Sequence, residues 1–358
     1  MARKRISTKK STTKPGSKPA TLTSRKAKAP VTPIHRFAHP FFTTTPVTER
    51  KTVPGVGKRM TDHIEGTLLA IPNFLHLGDV NYYDNTDSGY HEQFYVPYKL
   101  YPGKIIAIPG NHDGELFKYD GKSTGQTETL QAFQRNFVQP VPSVPAGAGS
   151  IYRQMVSQPG VYWLLNAPFV DIVGLYSNVA ENPGFLSAPS IGTKQTDWFG
   201  RTLSAIAAAR QTGTRKALFL AVHHPPFSDG SHTSSTDMLA EIDRICQASG
   251  IMPDVVLAAH SHDYQAYTRY VTFRSREIQI PFLVAGGGGR GLSPHVARAT
   301  GARTGDHSLD KSLRGYGYLK VKVTSSTVTL TFNQVASGGK VAQFDQVNLD
   351  LATNKVSR

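Results

Sequence analysis

The 358-residue sequence holds a single cysteine, Cys246, and two tryptophans. One thiol excludes an intramolecular disulfide framework and any cysteine-rich metal site, so a bound metal would have to take nitrogen and oxygen ligands. Cys246 lies in DMLAEIDRICQ, where Met238, Ile242 and Ile245 mark the apolar face of a helix, and it reads as a half-buried structural thiol. No run of about 18 apolar residues occurs, so no membrane-spanning helix is expected. Acidic residues are almost missing from the amino-terminal part: residues 1–60 contain fifteen Lys or Arg and one acid, Glu49, while the rest is nearly neutral despite a formal charge of +15 overall. That excess therefore describes one segment and not the whole chain.

The segment is poor in large apolar residues and rich in Lys, Ser, Thr and Pro. It cannot bury enough surface to offset chain entropy, and residues 1–50 are expected to form a disordered basic tail. Residues 1–30 would bind polyanions weakly, address the chain to an organelle or serve only solubility. No apolar stretch follows the basic start, so no secretory signal is read, and a cytoplasmic location is expected.

Beyond residue 60, short apolar runs alternate with longer mixed segments, the pattern of an α/β or layered α+β domain. Four runs end alike. IPNFLHL leads into Gly78-Asp79, KIIAIPG into Asn111-His112-Asp113, ALFLAV into His223-His224-Pro225-Pro226, and DVVLAA into His260-Ser261-His262. Side chains at i and i+2 of an extended chain share a face, so His260 and His262 would project together. Ligands of open α/β sheets gather beyond the carboxyl ends of strands, so the four endings can meet in one crevice. One aspartate, one asparagine and several histidines suit Mn, Fe or Zn better than Ca or Mg, and five or six such ligands exceed one tetrahedral zinc. A carboxylate bridging two ions points to phosphoester hydrolysis.

GDVNYYD, GNHD, HHPP and HSHDY, in that order, resemble the motifs of the calcineurin-like metallophosphoesterases. The Gly-Asp-x-x-Tyr form at Gly78, Asp79 and Tyr82 is most similar to the purple acid phosphatase branch. The resemblance spans roughly residues 55–335. It implies a four-layer α/β/β/α sandwich in which two mixed β-sheets are flanked by helices, over a domain of residues 51–340. Strands within 311–350 would complete the sandwich, and 351–358 would be a tail.

It also implies two divalent or trivalent metal ions (Fe, Mn or Zn). Asp79 would bridge them, Asn111, His223 and His260 would complete the second site, and His262 would bind the first. Tyr82 would add a phenolate there, although it also lies in an aromatic patch and would pack equally well. His112 would stay off the metals and face the substrate as a catalytic group beside Asp79, and His224 would hold a carbonyl or phosphate behind the ligands. The implied reaction is hydrolysis of a phosphomonoester on a small phosphorylated molecule by a metal-bound hydroxide.

The resemblance breaks at one point. The family opens with a strand ending in Asp-x-His or Asp-x-Gly, and the matching stretch, PIHRFAHPFFTTTPVTERKTVPGVGKRM, has no aspartate. Asp62 comes too late, and His35, His39 and Glu49 are the only nearby substitutes. The first metal site is therefore expected to be weak. The alternatives are a catalytically impaired metal-binding module with a polyanion-binding tail, or a phosphodiesterase. The run Gly286–Gly289 lacks the Lys-Ser/Thr of a phosphate-binding loop, so close backbone approach at a strand end explains it better. Residues 81–103 and 177–194 are read as loops over the crevice.

Overall fold

The computed structural model describes residues 73–213 and 215–358. The basic segment, Asp62, and His35, His39 and Glu49 lie outside the described residues.

The run ALFLA becomes β5 (Ala217–Ala221), in which every residue is buried. Both faces of this strand are covered, which is why it reads as continuous apolar sequence rather than alternation. Leu218 and Leu220 face Phe199 and Leu203 of α4 (Lys194–Thr212) and Met238 and Ile242 of α5 (Thr236–Ala248). Ala217 and Phe219 instead meet Val328, Leu330 and Phe332 of β12 (Thr327–Val335), a strand of the neighbouring sheet. Cys246 is fully buried in α5, further in than its sequence setting suggested.

β5 belongs to an eight-stranded sheet of order β3-β4-β5-β6-β8-β7-β10-β9. Its members are β3 (Trp163–Asn166), β4 (Val170–Gly174), β6 (Val255–Ala258), β7 (Tyr264–Phe273), β8 (Arg276–Ala285), β9 (Arg303–Thr304) and β10 (His307–Leu313). β4, β5, β6 and β8 run parallel, and the remaining pairs are antiparallel.

The second β layer consists, among the described residues, of two ladders. β1 (Asn73–His76) and β2 (Lys104–Ala107) pair in parallel. β11 (Gly317–Val323), β12 and β13 (Val341–Asp350) form an antiparallel meander, joined by β14 (Lys355–Ser357). Residues 351–358, read from sequence as a tail, instead turn back at Asn354 (φ 52) and pair Val356 with Leu349 of β13.

The outer face of this layer packs on aromatic residues of the segment 81–103, which is not all loop. It holds α1 (Asp87–Tyr90), capped by Thr86, whose hydroxyl accepts from the Gly89 amide at 3.1 Å, and a π-helical turn over His91–Tyr95. Burying Tyr90, Phe94 and Tyr95 against Phe133 and Phe137 of α3 (Gln131–Phe137) overrides the turn-rich composition. The layers thus run helix, sheet, sheet, helix, and β1, β2, β5 and β6 all deliver their carboxyl ends to the same edge.

Candidate metal centre

Each strand end turns sharply and aims a polar side chain into one crevice. Asp79 (φ 52) and His260 (φ 64) both occupy the left-handed region, which costs a non-glycine residue on the order of 1–3 kcal/mol and persists only where the surroundings demand it. Gly78 (φ 95) precedes Asp79, and a Cβ there would come 2.6 Å from His223 Nδ1 and 2.7 Å from the Gly110 amide nitrogen. A Cβ on Gly110 would collide with the Asp79 carboxylate. Both glycines therefore let the β1 and β2 turns close on His223.

The turns are tied together by Asp113, which follows Asn111 in the short α2 (Asn111–Gly114). Its Oδ2 accepts from the amides of Val80 at 3.1 Å and Gly110 at 2.8 Å. Burial and the nearby Asp79 push this carboxyl up to about 7, against the pull of those amides.

At the centre stands His223. Its Nδ1 lies 2.8 Å from the Leu77 carbonyl and must donate to it, which leaves Nε2 as a bare acceptor in the neutral ring. Around Nε2 lie Asp79 Oδ2 at 3.1 Å, Asn111 Oδ1 at 3.2 Å and His260 Nδ1 at 3.2 Å. The Asn111 amide is oriented by its Nδ2, which donates to Glu181 Oε2 at 3.1 Å, so its oxygen faces His223. Acceptors crowded this closely repel one another unless a proton or a cation sits among them. His260 Nε2 is likewise buried without a hydrogen-bond partner.

Electrostatics call for a positive charge, a proton or a cation, between Asp79 and His223. Burial raises the Asp79 carboxyl, but the charge and hydrogen bond of His223 outweigh it and hold Asp79 well below the carboxylate range. For His223 burial acts downward, Asp79 acts upward, and the net shift is upward. Burial next to His223 and His224 keeps His260 neutral, as a metal-binding imidazole must be. Asp79, His223 and His260 place one ligand atom each within 4.8 Å of one another.

His262 adjoins this nest. Its Nδ1 donates to the Gly291 carbonyl at 2.8 Å, leaving Nε2 to accept from the Tyr82 hydroxyl at 3.0 Å. The Asp79 carboxylate also lies against the Tyr82 hydroxyl, and burial together with that carboxylate raises the hydroxyl's pKa well above the usual tyrosine value. His223 and His262 thus share the tautomer that metal-binding histidines adopt, Nδ1–H on a backbone carbonyl and Nε2 turned inward. Donor types and orientation both fit a hard-to-borderline cation, with four donors around the His223 position and three, Asp79, Tyr82 and His262, beside it.

His112 borders the nest without facing His223. Its amide donates to Asp79 Oδ1 at 3.0 Å, and its Nδ1 donates to Glu115 Oε2 at 2.9 Å. Burial lowers its pKa, but the Glu115 hydrogen bond and Asp79 more than offset this, so the net shift is upward. The ring is held between Tyr82 and Tyr83, with both centroids at 4.7 Å. His224 is wholly occupied: Nε2 donates to the Ala180 carbonyl and Nδ1 accepts from the Ser177 hydroxyl, each at 2.7 Å. Burial pushes its pKa down to about 3.

Motif reading missed several groups at this edge. Glu115 follows GNHD by two positions but carried no spacing signal. Glu181 and His232 come from surface loops, with the His232 ring 4.2 Å from that of His260. Arg290 lies in the glycine run with its guanidinium 4.8 Å from the Tyr82 ring and 5.5 Å from that of Tyr83. Gly286 and Gly287 are glycines for steric reasons, since a Cβ on either would collide with the carbonyl of Ser261 or Gly315. His76 is packed among Phe74, Phe94 and Tyr98 with a buried Nδ1 that has no partner.

A two-sheet sandwich with a nitrogen-and-oxygen nest at its strand ends is the class that fold and site define. The profile of the calcineurin-like phosphoesterase family matches residues 71–264, more than half of the chain, and the chain belongs to that family. Among solved structures it is similar to the purple acid phosphatase PPD1 of yellow lupin (Lupinus luteus) seeds, at 15% identity and a TM-score of 0.55. That match covers 82% of this chain and 48% of the lupin chain, so this chain spans about half the length of that relative. It is also similar to PhoD, at 12% identity and a TM-score of 0.51, with 84% and 68% covered. At such identities the likeness shows the fold. Comparison with curated proteins finds no match.

Proposed function

We propose that the chain is a metal-dependent phosphomonoesterase. Asp79, Asn111, His223 and His260 would hold one cation, and Asp79, Tyr82 and His262 a second. The observation that carries the reading is the convergence of Asp79 Oδ2, Asn111 Oδ1 and His260 Nδ1 on His223 Nε2, at 3.1, 3.2 and 3.2 Å. When bound, a cation pair lowers the pKa of a water and offsets charge on the phosphate.

The protein's own groups supply the rest. Glu115 holds a proton on His112 Nδ1 and shifts the ring toward its cationic form, which beside the nest can stabilise charge on the transferring phosphoryl group or protonate the leaving oxygen. Arg290 forms no ion pair with a carboxylate among the described residues, and it offers a second positive group at the rim. Two such groups favour a dianionic monoester over a monoanionic diester. His224, locked on Ala180 and Ser177, stiffens the loop that brings in Glu181 and, through it, the Asn111 amide.

A second reading is a module that binds metal with little turnover. The three-donor seat of Asp79, Tyr82 and His262 favours it, because that seat has one carboxylate among the described residues and so offsets little of a dication's charge. Hydrolysis of an aryl phosphate and of the matching diester, with Mn or Fe/Zn added, tests both. The phosphatase reading expects monoester turnover that Asp79→Ala and His262→Ala abolish. Diester turnover alone, or metal binding without turnover, would replace it.

A further inference from the structure

At the opposite end of β5 and β6 from the nest, a separate cavity of about 530 Å³ is lined by Arg210, Arg215, Arg274, Arg276, Asp254 and Phe273. Four guanidinium groups face one carboxylate. Asp254 is fully engaged: it accepts from the Leu218 amide at 2.8 Å, from Arg210 at 2.9 Å, from Arg215, and from Asn354 Nδ2 at 3.2 Å. Arg274 and Arg276 have only neutral oxygens as hydrogen-bond partners. Arg274 donates to the Gly250 carbonyl at 2.8 Å, and Arg276 to Asn354 Oδ1 at 2.7 Å and the Ala352 carbonyl at 3.4 Å. Arg210 keeps one buried nitrogen, Nε, without a partner.

The backbone bears a cost to hold this arrangement. The turn between β7 and β8 has Arg274 (φ 51) and Ser275 (φ 61) at its two central positions, both left-handed, where Asn-Gly would remove the strain. Gly250 (φ 70) leaves room below, because a Cβ there would approach Arg274 Nη2 to 3.2 Å. Like charges also disfavour one another here. Burial, then Arg210 and Arg276, act to lower the Arg215 pKa against the attraction of Asp254 and Asp350, and the net shift is downward.

A concave site with surplus guanidinium groups and an orphaned buried N–H is chemically suited to an anion. Planar guanidinium forks match tetrahedral oxyanions in paired hydrogen bonds, and four arginines against Asp254 and the nearby Asp350 leave a positive surplus that suits a ligand with more than one negative charge. We propose that this cavity binds a compact polyanion of the phosphate class, independently of the metal centre.

Calorimetric titration of the full chain with pyrophosphate, at low salt and with a chelator present, tests this. Binding is expected, weakening as salt is raised, with Arg274→Ala and Arg276→Ala each weakening it by about tenfold or more. These two arginines do not touch Asp254, so the variants should keep their fold, which circular dichroism checks; Arg274→Lys and Arg276→Gln serve if either does not. Arg244→Ala, on the exposed face of α5, should leave binding unchanged. ADP titrated in parallel separates the two sources of a diphosphate, with equal affinity marking the inorganic ion and tighter binding a nucleotide. Absence of binding at millimolar pyrophosphate, or binding that Arg274→Ala and Arg276→Ala leave intact, would overturn the proposal.

Discussion

The Asp79 carboxylate stands 3.1 Å from His223 Nε2, at the ends of strands that belong to different sheets. The contact joins the two β layers at one polar point, and the glycine at position 78 makes it sterically possible. A methyl group there would press on His223 Nδ1 and the Gly110 amide at a backbone angle that L residues rarely adopt. Gly78→Ala is therefore expected to destabilise the protein by about 2 kcal/mol or more and to lower metal affinity with it. Thermal unfolding and metal titration of the variant check this, and an unchanged affinity would show that the nest tolerates displacement of His223.

Glu115 holds the Nδ1 proton of His112 at 2.9 Å. Glu115→Gln keeps the shape and removes the charge, so kcat is expected to fall about tenfold or more while bound metal is unchanged. Steady-state kinetics alongside metal analysis read this out. An equal loss of metal would mean that Glu115 supports the nest and not the substrate side.

His76 makes the protein sensitive to acid. Burial lowers its pKa to about 4, with Asp79 acting upward and His223 downward. A histidine that is neutral when folded contributes stability that is fully present above its ordinary pKa near 6.5. This contribution is lost as pH falls toward 4, and the loss levels off once the folded ring takes up the proton. The effect is at most about 3 kcal/mol. His76→Phe should flatten the fall in Tm between pH 6.5 and 4, and an identical pH profile would refute this assignment.

Arg269 of β7 ties α5 to the large sheet by an ion pair. It pairs both Nη atoms with Asp243 at 2.7 and 2.6 Å and Nε with Asp306 at 2.7 Å. An ammonium group cannot reproduce that fork, so Arg269→Lys should cost about 2 kcal/mol and several degrees in Tm, without effect on kcat.

Much of this was legible in the sequence because the relevant signals are local. Apolar runs ending in Gly-Asp, Asn-His, His-His and His-x-His marked β1, β2, β5 and β6, and doubly covered strands are apolar throughout. What stayed hidden depends on long-range packing. Tyr90, Phe94 and Tyr95 form helix only because Phe133 and Phe137 wait opposite, and β14 exists because Asn354 turns the chain back onto β13. Glu115, Glu181 and Arg290 reach the site from loops whose course no periodicity encodes.

Metal content per chain, measured after equilibration with Mn or Zn for the wild type and for Asp79→Ala, tests the central claim most directly. The four-donor nest around His223 predicts one tightly held ion per wild-type chain, a weaker second ion, and loss of both on removing the shared carboxylate. A wild-type chain that retains no metal, or an Asp79→Ala chain that retains as much, would contradict it.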